Sequence, residues 1–209
     1  MSMPRPYRSR LRAEQADETR RRIRQSAREL FATHGFSQTT IAQIAEGAGV
    51  APQTVYSAYQ SKGGVVRAML EDLEESADQA GWEARIRAEP HPHRQLGLFV
   101  TWICTLFEVG APILRASIPA MGDPDVSEFH ARGDANRLGG ATALTQHWAQ
   151  IGALRRGLDP TDAAHRLWLL TSPQQFLLAI DVLGWTPDAY AGWLTETLQR
   201  ELLAPGAED

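Results

Sequence analysis

Prolines and glycines divide this 209-residue chain into segments in which apolar residues recur three or four positions apart. That spacing places the apolar side chains on one face of an α-helix. Alternating runs of Val, Ile and Thr, which are typical of strands, are missing. The segments are separated at Gly35, 47–52, 90–92, 110–112, 119–124, 157–160 and 184–187. The sequence therefore predicts an all-α fold with about nine helices.

The composition limits the class of protein. Apolar residues make up 43% of the chain, which is enough for a hydrophobic core. No stretch approaches the roughly 18 uncharged apolar residues of a membrane-spanning helix, and no apolar segment like that of a secretory signal follows the arginine-rich N-terminus. Cys104 is the one cysteine, which excludes an internal disulfide and a thiolate zinc site. We therefore expect a cytoplasmic protein without a membrane partner, a metal site or a cofactor.

The charge is unevenly distributed along the chain. The total is −4, but residues 1–67 contain 11 lysines and arginines against five aspartates and glutamates. The remaining residues are acidic, with 10 basic against 20 acidic side chains. A basic head on an acidic body indicates nucleic-acid binding, although chance clustering of solvated charges produces the same totals.

A helix-turn-helix motif begins in the basic head. A first helix expected over 17–34 ends at Gly35, a residue suited to the left-handed position that follows a helix. Thr40 and Gln43 have the spacing of a capping box, in which each side chain satisfies an open backbone N–H. They open a short helix expected over 41–48.

The second helix of the motif follows directly. Gly49 lies in a three-residue turn, and Pro52 opens the next helix at the position where its missing N–H costs nothing. In such a motif the second helix lies in the major groove of DNA. Here Gln53 can pair with adenine, and Thr54 can contact a thymine methyl group or a phosphate. Lys62, at the start of the following helix, suits a phosphate.

These residues closely resemble the tetracycline-repressor (TetR) family of bacterial regulators over roughly the first third of the chain. The resemblance is carried by 31–36 (FATHGF), 39–45 (TTIAQIA), 48–50 (AGV) and 54–62 (TVYSAYQSK). It implies an all-α homodimer with an N-terminal three-helix DNA-binding domain and a C-terminal effector-binding domain. The resemblance and the outward positions of the second helix give these DNA-binding candidates: Thr40, Gln53, Thr54, Tyr56, Ser57, Tyr59 and Lys62.

Two positions depart from the family pattern. Tyr59 stands where phenylalanine is common. Gly63 and Gly64 stand where the family usually has helix formers, and glycine costs about 1 kcal/mol relative to alanine inside a helix. The two glycines predict a loosened connection between the head and the body, at the start of a linking helix expected over 62–88.

The sequence divides the chain into three parts. Residues 1–16 contain prolines, arginines and almost no apolar residues, which predicts a disordered basic arm. Such an arm can reach an adjacent minor groove or act as a non-specific electrostatic tail. Residues 17–62 form the helix-turn-helix DNA-binding domain, and 63–209 form the effector-binding and dimerisation domain.

The body supplies candidates for a dimer interface. Residues 170–173 and 184–194 are similar to the last two helices of many family members, which pack with their mates into a four-helix interface. The apolar residues available for it can equally fill the core of the single chain. These candidates are Leu167, Leu170, Leu178, Tyr190, Trp193, Leu194 and Leu198.

The body also supplies candidates for a small-molecule pocket. Aromatic and apolar walls with a few polar groups are typical of such a pocket, and equally of an ordinary core. The predicted lining carries little charge, so the predicted effector is mostly apolar or aromatic. The candidates are Phe99, Trp102, Leu106, Phe107, Met121, His147, Trp148, Trp168, Thr171 and Gln175.

Motifs of serine hydrolases, zinc peptidases, phosphate loops and dinucleotide sites are absent from the sequence, so we do not expect an enzyme. The predicted function is a ligand-responsive transcriptional regulator, most often a repressor in this family. It binds a palindromic operator as a homodimer and releases it when an effector binds. The alternative is a small-molecule-binding helical protein whose head no longer binds DNA.

Overall fold

The structure, a computed structural model, describes residues 5–205 and the side chains of 11–205. Helices make up nearly all of this range, and its strand-like pairing is confined to an isolated bridge between Leu154 and Leu203. The helices are α1 (Arg5–Gln38), α2 (Ile41–Ala48), α3 (Pro52–Tyr59), α4 (Lys62–Ser76), α5 (Gln79–Ala88), α6 (Pro92–Ser117), α7 (Pro124–Gln150), α8 (Pro160–Leu170), α9 (Pro173–Leu177) and α10 (Pro187–Leu202). A 3₁₀ turn precedes α7 and a π-helical turn follows α9: Ile118–Ala120 and Leu178–Val182. The predicted all-α class is confirmed, and the helix count is close to the prediction.

Most helix starts are specified locally. Six of the described helices, α3 and α6 to α10, begin with proline at or next to their first position. The N–H that proline lacks has no partner there in any case. In four of them the residue before the proline accepts a hydrogen bond from an open backbone N–H, which satisfies the helix start. These four capping residues are Asp123, Asp159, Ser172 and Thr186.

Helix α6 is the central helix of the body. It packs against α1, α4, α5, α9 and α10. Pro112 lies inside it, so the break predicted at 110–112 is wrong. Apolar residues on both sides of the proline, such as Ile103 and Leu114, are buried, and this burial keeps the helix continuous despite the missing N–H.

The length and apolar character of α6 would also suffice to cross a membrane, which the sequence analysis did not recognise. Half of its apolar window is buried inside the protein. Because five other helices surround it, α6 is a core helix of the bundle.

Helix α1 begins earlier than predicted. It starts at Arg5, so residues 5–16 are helical rather than disordered, while 1–4 lie outside the described residues. The arginines, glutamate and glutamine of this segment are good helix formers. The side chains of 11–18 are exposed, so helix propensity rather than packing stabilises the extension. At its other end α1 is interrupted at Gly35, as predicted, with a φ of 73°.

The linking helix predicted over 62–88 is two helices, α4 and α5. The break lies at Asp78, which adopts a left-handed conformation with φ 43° and ψ 44°. Aspartate adopts this conformation more readily than most residues. Helix α4 packs against α6 and α7, and α5 packs against α6, so both belong to the body.

Gly49 offers a test of the turn between α2 and α3. Its φ is 65°, a conformation in which an alanine is strained. We expect Gly49→Ala to lower the free energy of unfolding by about 1 kcal/mol or more. Gly139→Ala is the matched control, since a Cβ there meets nothing within 4 Å and alanine favours the helix by up to about 1 kcal/mol. Urea unfolding followed by circular dichroism measures both, and equal destabilisation would contradict this account.

Candidate nucleic-acid interface and ligand cavity

The helix-turn-helix forms as the sequence predicts. The Thr40 hydroxyl accepts a hydrogen bond from the backbone N–H of Gln43, and the Gln43 amide oxygen accepts one from the N–H of Thr40 at 2.8 Å. Helix α2 is held against α1 by the Ser26 hydroxyl, which donates to the Ile44 carbonyl at 3.0 Å. Gly47 allows this crossing, because a Cβ there would collide with the Ser26 side chain.

Helix α3 presents a polar face to solvent. Val55 is fully buried under α3, as predicted from the sequence. Gln53 and Ser57 are exposed, Tyr56 is 49% exposed, and Thr54 is half-buried at the edge of the same helix. Thr40, at the start of α2, is also exposed. Five of the seven DNA-binding candidates are therefore accessible to a partner.

Tyr59 is not one of them. It is 7% exposed, its hydroxyl donates to the Arg20 carbonyl at 3.1 Å, and it accepts from Nη1 of Arg24 at 3.0 Å. Arg24 in turn pairs with Asp72 of α4 at 2.6 Å. Burial raises the pKa of the Tyr59 hydroxyl. The predicted DNA contact by Tyr59 is therefore wrong, because its polar atom fastens α3 to α1 and, through Arg24, to α4.

Lys62 is also bound within the chain. Its ammonium donates to the carbonyls of Phe36 at 2.5 Å and Thr39 at 2.8 Å, and lies 4.1 Å from the centre of the Phe36 ring. Partial burial lowers the pKa of Lys62. The side chain predicted to clamp a phosphate thus ties the start of α4 to the connection between α1 and α2.

The head meets the body at a contact that we call the joint, formed by Ser61, Gly63, Asp123 and Asp125. The Ser61 hydroxyl accepts the N–H of Gly64 at 2.8 Å and donates to Oδ2 of Asp125 at 2.7 Å. A Cβ at Gly63 would overlap the Asp123 carboxylate, and one at Gly64 would overlap the Tyr59 carbonyl oxygen. Both glycines therefore allow close packing at the joint, and the predicted loosening of the connection stays a prediction.

The body encloses a cavity of about 520 Å³ between α4, α5, α6 and α7. One stripe of α7 faces it, with residues spaced three or four apart along the helix. Two positions of this stripe, Gly133 and Gly140, lack side chains, and a Cβ at either meets nothing within 4 Å. The apolar wall is formed by Leu70, Leu73, Ile86, Phe99, Trp102, Ile103, Leu106, Phe107, Leu114, Phe129 and Leu144.

Half of the pocket candidates line this cavity. These five are Phe99, Trp102, Leu106, Phe107 and His147. The contribution of α4 and most of the α7 stripe were missed, because sequence spacing does not show which buried face borders a void.

The other five candidates lie elsewhere. Trp148 is fully buried, and its Nε1 donates to Gln95 at 2.7 Å. Trp168 donates to the Asp134 carbonyl, and the Thr171 hydroxyl donates to the carbonyl of Leu167 within its own helix. Met121 is 42% exposed, and Gln175 is exposed on α9.

The lining is more polar than predicted. Glu74, Glu83, Arg87, Asp134 and Arg137 all border the cavity. Each of these side chains is exposed to solvent or forms an ion pair. Nη2 of Arg137 pairs with Asp134 at 2.9 Å, while its Nη1 donates to two main-chain carbonyls.

The described residues form neither a cluster of metal ligands nor a reactive thiol. No three His, Cys, Asp or Glu side chains among them come together as metal ligands. Cys104 is buried, and burial raises the pKa of its thiol to about 12. A thiol with so high a pKa is a poor nucleophile at neutral pH.

The candidates for a dimer interface fall into two groups. Leu167, Tyr190, Leu194 and Leu198 are at most 1% exposed and fill the chain's own core, so their assignment to an interface is wrong. The others are accessible: Leu178 is 52% exposed, Trp193 is 41% exposed and Leu170 is half-buried.

Two of these accessible residues belong to a larger set of exposed apolar side chains. The set lies on α8, in and directly after the π-helical turn, and on α10, which packs against the other two elements. Three of its members were not among the predicted interface residues. The prediction selected apolar residues at regular helical spacing, and in these helices most such residues face the core. We call this set the apolar face; its residues are Leu169, Leu178, Val182, Leu183 and Trp193.

The fold and the exposed face of α3 define a helix-turn-helix protein. Residues 23–69, from α1 to α4, match the family model described as bacterial regulatory proteins, tetR family. The resemblance found in the sequence is thus confirmed over these residues.

Relatives of the chain carry regulator names. The HTH-type transcriptional regulator TtgR of Pseudomonas putida is 35% identical over 79 residues, 38% of each chain. The probable HTH-type transcriptional regulator ArpR, also of Pseudomonas putida, is 40% identical over 65 residues, 31% of each chain. The matches thus span only 38% and 31% of the length of these curated relatives. Their names agree with the expectation of a regulator rather than an enzyme.

A solved structure extends the likeness to the body. NalD, the secondary repressor of the MexAB-OprM multidrug efflux pump in Pseudomonas aeruginosa, superposes with a TM-score of 0.70 at 26% identity. The superposition covers 91% of this chain and 98% of the NalD chain. The arrangement of head and body is therefore shared with a protein named as a repressor.

The role of Tyr59 can be tested by removing its hydroxyl. Tyr59→Phe loses the hydrogen bonds to α1, and we expect the free energy of unfolding to fall by about 1 kcal/mol. Tyr56→Phe is the control, because the side chain of Tyr56 is 49% exposed and surface changes stay within about 0.5 kcal/mol. Urea unfolding measures both. An unchanged unfolding midpoint for Tyr59→Phe would contradict the fastening role of the hydroxyl, and Tyr59 would again count among the DNA-binding candidates.

Proposed function

We propose that this chain is a cytoplasmic, homodimeric, DNA-binding transcriptional repressor that releases its operator when a small molecule enters the cavity. The observation that carries the proposal is the pairing of an exposed, polar α3 in a helix-turn-helix with a partly open, mostly apolar cavity in the same chain. The tetR family match and the repressor name of NalD support it.

The DNA-contacting residues of the proposal are the exposed subset of the candidates. Gln53 and Thr54 stand in the first turn of α3, which faces the base edges in this motif. Tyr56 and Ser57 extend the same surface, and Thr40 at the N-terminus of α2 suits a phosphate. Lys62 contributes to this surface by holding α4 in place rather than as a free cation.

A second copy of the chain supplies the other half-site. One α3 reads only a few base pairs, and two copies spaced by about 34–36 Å match successive turns of a palindrome. The apolar face is the surface available for pairing, since Leu178 and Val182 are 52% and 71% exposed. Exposed apolar side chains on adjoining elements are typical of such interfaces.

Release follows from the way the cavity and the head share helices. Helix α4 starts at the joint and supplies Leu70 and Leu73 to the cavity wall. Helix α7 starts at the other side of the joint, where Asp125 accepts from Ser61. A ligand that displaces α7 relative to α4 therefore changes the position of the head, and a dimer with altered head spacing no longer fits both half-sites.

The DNA contacts can be tested by fluorescence anisotropy with DNA from upstream of the chain's own gene. We expect Gln53→Ala and Tyr56→Ala each to weaken specific binding by at least about tenfold. The matched control is Gln146→Ala, an exposed glutamine on α7, which should bind like the wild type. Binding should also fall steeply with salt, because each phosphate contact releases counterions. Weak binding that competitor DNA abolishes would instead support the alternative of a ligand-binding protein with an inactive head.

The dimer interface can be tested with one buried charge. Val182→Glu places two carboxylates across the proposed two-fold axis, and we expect the dimer dissociation constant to rise by at least about tenfold. Val109→Glu is the control, because Val109 is similarly exposed, at 65%, but lies on α6. Analytical ultracentrifugation measures both. Dissociation by Val109→Glu alone would move the interface to α6.

A further inference from the structure

The cavity contains a buried polar atom that the chain leaves without a partner. His130 on α7 lines the cavity and is 8% exposed. Its Nε2 makes no hydrogen bond, and no other buried side-chain nitrogen or oxygen of residues 11–205 is in this state. An unsatisfied buried polar group costs about 1–3 kcal/mol. A ligand that supplies the missing partner recovers this free energy on binding.

The surroundings of His130 favour an aromatic ring. The Phe129 ring packs edge-to-face on the imidazole, with centroids 6.3 Å apart, and Phe99 packs in the same way on Trp102 at 6.0 Å. Gly133 lies one turn further along α7 on the cavity side, where a Cβ would meet nothing within 4 Å. The wall beside the imidazole is therefore open enough for a flat group.

The charged residues around the cavity do not favour a charged ligand. Arg137 is neutralised by Asp134, and Glu74 lies 3.7 Å from Arg132. Burial lowers the pKa of His130, so its imidazole is neutral near pH 7. A charged group buried beside His130 would lose its hydration and would meet there only charges that are already paired. The remaining charged or polar lining residues are exposed to solvent or satisfied: Gln79, Glu83, Arg87, Gln95, Asn136 and His147.

We propose that the cavity takes an uncharged aromatic molecule that carries a hydroxyl group, with the ring lying over Gly133 and the hydroxyl hydrogen-bonded to Nε2 of His130 once the imidazole, whose Nε2 is covered in this structure, turns toward the cavity. A hydroxyl both donates and accepts, so it satisfies either neutral tautomer of the imidazole. His130 thereby sets the specificity of the site, while the aromatic wall supplies apolar contact. The inference deepens the proposed function and rests on it only in treating this occupant as the effector.

The test compares two probes that differ in one group. 4-Phenylphenol carries the hydroxyl, and 4-methylbiphenyl replaces it with a methyl group of similar size. With the full chain, isothermal titration calorimetry should show 4-phenylphenol binding at least about tenfold more tightly. His130→Phe keeps a ring but removes the nitrogen, and should bind both probes equally. His165→Phe, which alters an exposed histidine of α8 outside the cavity wall, should keep the preference.

A second measurement does not depend on the stability of a variant. In wild-type protein labelled with ¹⁵N, 4-phenylphenol should shift the Nε2 resonance of His130, and 4-methylbiphenyl should leave it nearly unchanged. Gly133→Leu fills the space beside the imidazole and should reduce the binding of both probes. Equal binding of the two probes by the wild type, a preference that persists in His130→Phe, or no binding of either probe would overturn the inference.

The same preparations separate this inference from the proposed function. Protein that binds its operator but shows no hydroxyl preference overturns only the assignment of His130. Protein that shows the preference and loses it in His130→Phe, but does not bind DNA specifically, supports the assignment and overturns the proposed regulator.

Discussion

The arrangement of head and body depends on the approach of α4 to the loop before α7, together with the packing of α1 on α6. Gly63 leaves no room for a side chain against the Asp123 carboxylate, and Ser61 donates to Asp125 across the same gap. Asp123 also caps α7 by accepting the N–H of Asp125 at 3.1 Å. One short loop therefore starts a helix of the cavity wall and positions the first turn of the helix that carries the head.

The helices of the head are fastened to one another by polar side chains that the sequence motif predicts to contact DNA. Tyr59 and Lys62 make hydrogen bonds inside the chain, and Arg24 joins α1, α3 and α4 through Tyr59 and Asp72. In the proposed mechanism, a head fastened in this way moves with α4 as a whole. The proposed recognition surface is left to side chains of α3 and the start of α2, whose orientation these internal bonds fix.

The sequence predicts those structural features that contacts between neighbouring residues specify. Thr40, Gln43 and Pro52 specify helix starts through contacts with their own neighbours, and the structure has all of them as predicted. The cavity is different, because a wall residue and a core residue share the same apolar character. Trp148 and Phe107 illustrate this, since both are buried aromatics but only Phe107 borders the void. Only the packing of distant helices decides between them.

The joint has a consequence for exchanging modules between relatives. Sequence analysis places the boundary between head and body after residue 62, yet residues 61–64 are fitted on one side to Tyr59 and on the other to Asp123 and Asp125. A chimera that grafts another head with its own residue at position 63 brings a Cβ against the Asp123 carboxylate unless that residue is also glycine. The unit that can be transplanted is thus the head together with the loop that opens α7, two stretches that are far apart in the chain and adjacent in space.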